Sequence, residues 1–153
     1  MSRYIMMARH TGERKREAMF EALCQRCKTP KLVSALRQCQ RGGGTQLDAS
    51  NVVGMTNWTR VVPTVIKALA LLPNLLKLHL GKNSLGDDGV TAVAQDLHLV
   101  PRLKELDLSG NYTTVRGASF LAQALTRVPK LKKLYLGYNF LGDDGVTAVA
   151  QAL

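Results

Sequence analysis

Aromatic residues make up only 5% of the 153-residue chain. No apolar run approaches the ~20 residues that a helix needs to cross a bilayer, which excludes a membrane-spanning reading and points to a soluble protein. Cysteine is scarce as well: Cys24, Cys27 and Cys39 cannot all pair within one chain. No charged start, apolar core and small-residue cleavage site of a secretory signal is visible, so a reducing cytoplasm is the simplest compartment. The first twelve residues carry Arg3, Arg9 and His10 without an acid, which leaves a mitochondrial or other organelle address as the alternative.

Reactive clusters are missing too. Gly42, Gly43 and Gly44 have no Lys-Ser/Thr partner, so they are not a phosphate-binding loop. His10, His79 and His98 are scattered, with no nucleophile at a suggestive spacing. Cys24 and Cys27 form a C-x-x-C, but a zinc site wants four ligands and only Cys39 and a distant His10 are available to complete it. Buried free thiols are the better reading. The GDDG strings at residues 86 to 89 and 142 to 145 lack the ligand count of a calcium loop. The expectation is therefore a non-enzyme without cofactor or metal.

Acidic residues are in deficit, and unevenly. The chain holds 21 Lys+Arg against 11 Asp+Glu, a formal charge of +10. Residues 1 to 46 carry 10 Lys/Arg and 3 acids, giving +7, and residues 47 to 153 carry the remaining 11 and 8, giving +3. A basic front segment fits RNA, an acidic assembly surface or a solvated helix face.

Self-comparison supplies the organisation. LGDDGVTAVAQ occurs at residues 85 to 95 and again at 141 to 151, an offset of 56, with a third, divergent copy at half that offset. Leu75, Leu78 and Leu80 recur as Leu103, Leu106 and Leu108 and as Leu131, Leu134 and Leu136; Asn83, Asn111 and Asn139 keep the same 28-residue step, as do Pro73, Pro101 and Pro129. Each unit reads L-x-x-L-x-L-x-x-N, then a turn, then an i, i+3, i+4, i+7 apolar stripe such as Val90, Val93, Ala94 and Leu97. Leu78 and Leu80 alternate with Lys77 and His79, the period of a short half-buried strand. Asp87 and Asp88 stand where the helix begins and are expected to cap it. The middle unit replaces Leu-Gly-Asp-Asp with Thr113, Thr114, Val115 and Arg116, either by drift or to form a contact site.

One strand and one helix cannot bury their own apolar face, but stacked units form a continuous core between a strand layer and a helix layer. Helices are wider than strands, so the stack curves with its strands inside. The expected architecture is an α/β solenoid with irregular first repeat 47–74, repeats 75–102 and 103–130, and an incomplete repeat 131–153. In the first repeat, Val62, Val65, Ile66 and Leu69 preserve the helix half, Met55 falls at the asparagine position, and Leu47 fits two registers.

These residues resemble the leucine-rich repeat family, specifically the long 28-residue class of ribonuclease inhibitor and the sensor regions of NOD-like receptors. The resemblance covers residues 75 to 153 closely, about half the chain. It implies that Asn83, Asn111 and Asn139 form a structural ladder satisfying backbone groups of neighbouring coils. Some relatives with such repeats activate small GTPases or adjoin ligase domains, but no residue here carries either activity.

Ahead of the repeats, residues 13 to 28 place Phe20, Leu23, Cys24 and Cys27 on one helical stripe, with Thr11 as a candidate cap. Thr29 and Pro30 open a second helix with Leu32, Ala35, Leu36 and Cys39 on its stripe, and the three glycines end it. This segment, residues 1–46, reads as an N-terminal helical cap over the open end of the stack.

What remains for function is a surface. The outward strand positions form columns of Lys77, Glu105 and Lys133; His79, Asp107 and Tyr135; and Lys82, Gly110 and Tyr138, with Lys132 beside them. Tyrosines and cations next to two acids suit a specific protein contact. The leading expectation is a non-catalytic interaction module binding a protein through its concave face. The alternatives are a basic subunit of a ribonucleoprotein or other large assembly, and a recognition fragment of a larger receptor or GTPase regulator. Leu153 matches Leu97 and Leu125 without the closing turn, which predicts either a longer native protein or self-association through an exposed edge.

Overall fold

The structure, a computed structural model, describes residues 2–52 and 58–153, with side chains for residues 11–52 and 62–153. Met55 lies outside the described residues, and Arg3, Arg9 and His10 outside the described side chains.

Two helices open the chain, α1 (Ser2–Arg26) and α2 (Pro30–Arg41). Helix α1 does not start at Thr11 as its capping chemistry suggested. No proline interrupts residues 2 to 26, and a single glycine, Gly12, costs a helix only about 1 kcal/mol, so the helix runs through both. It buries Phe20 and Cys24. Thr29 precedes α2 in an extended conformation but makes no side-chain cap bond; Pro30 at the first helical position starts the helix. At the other end the Gly44 amide closes onto the Cys39 carbonyl at 2.9 Å, with Gly43 and Gly44 both at positive φ.

Four strand–helix coils follow: β1 (Gln46–Asp48) and α3 (Trp58–Leu71), β2 (Lys77–His79) and α4 (Gly86–Asp96), β3 (Glu105–Asp107) and α5 (Val115–Leu125), β4 (Lys133–Tyr135) and α6 (Gly142–Ala152). A short 3₁₀ turn, Leu97–Leu99, follows α4. The strands make one parallel sheet in the order β1-β2-β3-β4. Strand connections this short, each returning through a helix on one face, give a right-handed solenoid step rather than a globular sheet. Successive helices pack against one another behind the sheet, α3 on α4, α4 on α5 and α5 on α6. The fold is an α/β repeat solenoid.

Register resolves the first coil. Leu78 pairs with Leu106 and Leu106 with Leu134, a step of 28, whereas Leu47 pairs with Leu78, a step of 31. The helix stripe keeps the 28-residue step from Val62 to Val90, so three extra residues lie between β1 and the middle of α3. The asparagine position of the first coil therefore falls at Val52, not Met55: the Val52 amide donates to Asn83 Oδ1 at 2.9 Å, where the later coils place Asn83 and Asn111 amides.

Each strand turns its leucine inward. Leu47, Leu78 and Leu106, with Leu75, Leu80, Leu103 and Leu108, are buried against Val90, Val93, Ala94 and Leu97 and then Leu121 and Leu125. Truncating one such leucine to alanine costs about 2–5 kcal/mol. The three asparagines sit where strand turns into loop. Asn111 donates from Nδ2 to the carbonyls of Leu80 and Leu108, both at 3.0 Å, and its Oδ1 accepts from the Asn83 amide at 3.0 Å. Asn83 and Asn139 repeat the arrangement one coil to either side. Polar groups that would be stranded inside the stack are thereby satisfied across coils.

The acids at the helix starts behave differently from the sequence expectation. Neither Asp87 nor Asp88 caps α4, whose preceding residue, Leu85, makes no side-chain cap bond. Asp87 instead reaches the next coil. Its carboxylate accepts from the Thr114 amide and hydroxyl, both at 2.7 Å, and from the Gly117 amide at 3.1 Å, so it supports the first turn of α5 beside the N-cap Thr114, whose hydroxyl accepts from the Arg116 amide at 3.3 Å. Stacking brings the start of α5 over the first turn of α4, and a short carboxylate meets the neighbour's exposed N–H groups more directly than its own. Gly117 permits the approach: a Cβ there would fall 2.6 Å from Asp87 Oδ1. The departure of the middle repeat thus complements its neighbour, Thr114 meeting Asp87 and Arg116 meeting Asp88 at 3.3 Å.

Candidate functional site

Alternation along a strand puts every second side chain on the face opposite the leucines. In-register parallel pairing then lines up Lys77, Glu105 and Lys133 across the sheet, and beside them His79, Asp107 and Tyr135. Glu105 is the centre of the first row. Its side chain is only 15% exposed, with Oε1 3.1 Å from His79 Nε2 and Oε2 3.9 Å from Lys133 Nζ. One carboxylate therefore links three strands, while Lys77 is exposed at the end of the row. Asp107 is committed locally, accepting from the Ser109 amide at 2.8 Å. Lys132 is exposed one residue before β4.

The columns extend one strand further than the sequence reading allowed. Pairing of Gln46 with Lys77 and Asp48 with His79 adds both residues of β1 to this face. Asp48 accepts from the Ser50 amide at 3.1 Å, repeating the Asp107 turn. The two candidate registers of Leu47 had concealed this.

Beyond the strands, Asn51, Lys82, Gly110 and Tyr138 occupy equivalent positions, all with φ between 51° and 65°. A left-handed residue turns the chain off the strand, and for any residue but glycine it is strained by about 1–2 kcal/mol. The Lys82 stem lies over Gly110, where a Cβ would come within 3.3 Å of it. Tyr138 is 91% exposed. Tyr135 beside it is also exposed, and Tyr112 and Phe140 stack with ring centroids 6.0 Å apart on the adjoining loops. The sequence reading missed that pair because Tyr112 and Phe140 are off the strand period, one position past each asparagine.

The cysteines lie elsewhere. Cys24 and Cys39 are buried and Cys27 partly so, and all three are free thiols. Burial pushes the Cys39 thiol up to about 11 and raises Cys24 as well, the latter with help from Glu21 and against Arg37. Among the described residues no three His, Cys, Asp or Glu side chains gather as a ligand set.

The family model described as "Leucine Rich repeat" matches residues 72–94 and 129–150. The solved structure of "Leiomodin-1 Actin-Binding Site 2 (ABS2)" superposes with a TM-score of 0.63 at 18% identity, over 79% of this chain and 71% of that one. No curated protein matches the chain significantly in sequence. Among the described residues no helix is long and apolar enough to cross a membrane.

Proposed function

We propose that this leucine-rich repeat protein is a non-catalytic interaction module that binds a protein partner through the strand face built by Lys77, His79, Lys82, Glu105, Asp107, Lys132, Lys133, Tyr135 and Tyr138. The repeat fold and its structural neighbour point to a protein-interaction role, and the 28-residue step favours the ribonuclease-inhibitor-like class. The observation that carries the concave face is Tyr138, 91% exposed on a strained backbone beside Tyr135 and the cations. The left-handed turn that every coil makes holds Tyr138 out from the strand face, and tyrosine brings large contact area at low entropic cost.

A photo-crosslinking residue at position 138, compared with one at Thr147 on α6, tests the face directly. A discrete adduct from 138 that Lys133→Glu weakens supports the reading. Equal adducts from both positions, or no response to Lys133→Glu, refute it. Because the structural neighbour is an actin-binding site, co-sedimentation with filamentous actin is the first partner-specific assay.

A second reading rests on α1, where Arg14, Lys15 and Arg16 are all exposed. Such a run supports contact with RNA or an acidic assembly surface, with affinity falling steeply as salt rises. RNA retention that survives deletion of residues 1–46 contradicts it.

A further inference from the structure

Charge in the repeats is sorted by edge. The helix-to-strand turns, residues 97–104 and 126–132, hold Arg102, Lys104, Arg127, Lys130 and Lys132 and no acid. The strand-to-helix stretches, residues 80–88, 108–116 and 136–144, hold Asp87, Asp88, Asp143 and Asp144 against Lys82 and Arg116. Because the strands are parallel and a helix follows each one, the two kinds of turn run along opposite edges of the stack. The Lys104 amide bonds the Leu76 carbonyl and the Lys132 amide the Lys104 carbonyl, both at 2.8 Å, so these positions step from coil to coil by about 4.8 Å. Arg102 reaches back one coil to Asn74 Oδ1 at 2.8 Å. Lys77, Lys104, Lys130 and Lys132 are exposed, and among the described residues none of them lies in an ion pair. Lys104 is exposed although its coil has a neighbour on each side. The bordering acids, Asp96 at the end of α4 and Glu105, are both partly buried. Helix dipoles do not account for the lysines, since Lys104 and Lys132 stand well beyond the last turns of α4 and α5.

We propose that this edge, from Lys77 across Arg102 and Lys104 to Lys130 and Lys132, is a docking strip for an acid-rich segment of a protein partner. The proposal rests on the protein-partner reading and adds the partner's chemistry. A strip one turn wide that presents cations coil after coil fits a linear run of carboxylates. It does not fit a single-stranded nucleic acid, whose bases need aromatic platforms: Tyr112, Tyr138 and Phe140 all lie on the opposite edge. Nor does it fit a membrane surface, because the exposed large apolar side chains all fall outside these turns and a contact of charge alone anchors weakly.

The test uses the full chain at low salt with three probes: a glutamate-rich peptide, an oligouridylate, and vesicles containing phosphatidylserine. Lys104→Glu with Lys130→Glu alters the strip outside the strand-face set, and Lys31→Glu with Lys67→Glu makes the same change of charge on α2 and α3. The peptide should bind the wild-type chain, weaken about tenfold or more on the first pair and no more than about twofold on the second. Rising salt should release it. If thermal melts show the first pair unfolded, Lys104→Gln with Lys130→Gln takes its place with the same direction expected. Equal weakening by both pairs, or no peptide binding, overturns the proposal. Tighter binding of the oligouridylate or the vesicles, abolished by the first pair, overturns it in favour of RNA or lipid. The crosslink from position 138 keeps the two readings apart. A partner adduct at 138 that is indifferent to Lys104→Glu with Lys130→Glu removes the strip and leaves the strand face, whereas peptide binding through the strip without a discrete 138 adduct does the reverse.

Discussion

Replacing Asp87 by alanine removes three hydrogen bonds that hold one coil to the next. The lost bonds include the one to the Gly117 amide in the first turn of α5, where the Thr114 cap on the Arg116 amide stays, and a bond of this capping kind is worth about 0.5–2 kcal/mol. The carboxylate is charged, and bonds to a charged group are worth about 1.5–3 kcal/mol where a neutral one gives ~1. Part of that value returns when water solvates the freed groups, so a net loss of about 2–3 kcal/mol is expected. For a chain of this size that is roughly 4–12 °C in Tm. The molecule carries its own control: Asp143→Ala alters the same residue in the same eleven-residue string, but at an exposed edge, and should cost less than about 0.5 kcal/mol. Thermal melts of both variants decide the matter. The pH dependence adds a second reading. Burial opposes the Asp87 charge, but bonds from the Thr114 hydroxyl and amide and the Gly117 amide, with Arg116 nearby, outweigh it and hold the carboxyl below its usual value. A depressed carboxyl stabilises the fold above its unfolded pKa, 3.8, and the contribution disappears as pH falls through the lower folded value. The gap between wild type and Asp87→Ala should therefore close in that acid range. Equal losses for Asp87→Ala and Asp143→Ala, or a gap constant down to the lowest pH, would refute the reasoning.

Other substitutions probe different parts of the stack. Thr113 is fully buried with no partner for its hydroxyl, at a position where the flanking coils have leucine, so Thr113→Val should raise stability by about 1 kcal/mol in denaturant melts. Tyr138→Gly relieves a left-handed backbone and loses little packing, so Tm should change by the equivalent of about 1 kcal/mol or less while partner binding falls; a large loss of stability would show that Tyr138 is a packing residue. Thiol reagents at pH 8 should modify Cys27 well before Cys24 and Cys39 in the folded protein. Because burial raises Cys39 to about 11 from 9.0, its contribution to stability is complete below pH 9 and fades as pH rises toward 11, by on the order of 2–3 kcal/mol. A Cys39→Ser chain whose stability falls over that range as steeply as the wild type would contradict this.

The docked aspartate also explains a sequence feature that repeat comparison alone treats as noise. Read along the chain, Thr113-Thr114-Val115-Arg116 is a degraded copy of Leu-Gly-Asp-Asp. Read across the stack, Thr114 and Arg116 are the partners of Asp87 and Asp88. The 56-residue identity thus marks two coils of one kind flanking one of another.

Periodicity by itself determined the solenoid, its strands, its helix stripes and the order of coils, because leucines at fixed spacing leave one way to bury a strand and a helix together. It also determined which strand residues face away from the core, since alternation is a property of extended backbone. What it did not determine are facts of stacking. The 31-residue first step, the Val52 amide at the asparagine position and the place of Gln46 and Asp48 on the outward strand face follow from how β1 pairs with β2, and a three-residue slip is invisible when Leu47 fits two registers. The reach of Asp87 to the next helix, the enclosure of Glu105 between His79 and Lys133, and the contrast between Val90 and Val146 depend on which coil lies beside which. Those contacts join residues about one repeat apart, and only the closing of the backbone through each helix brings them within bonding distance.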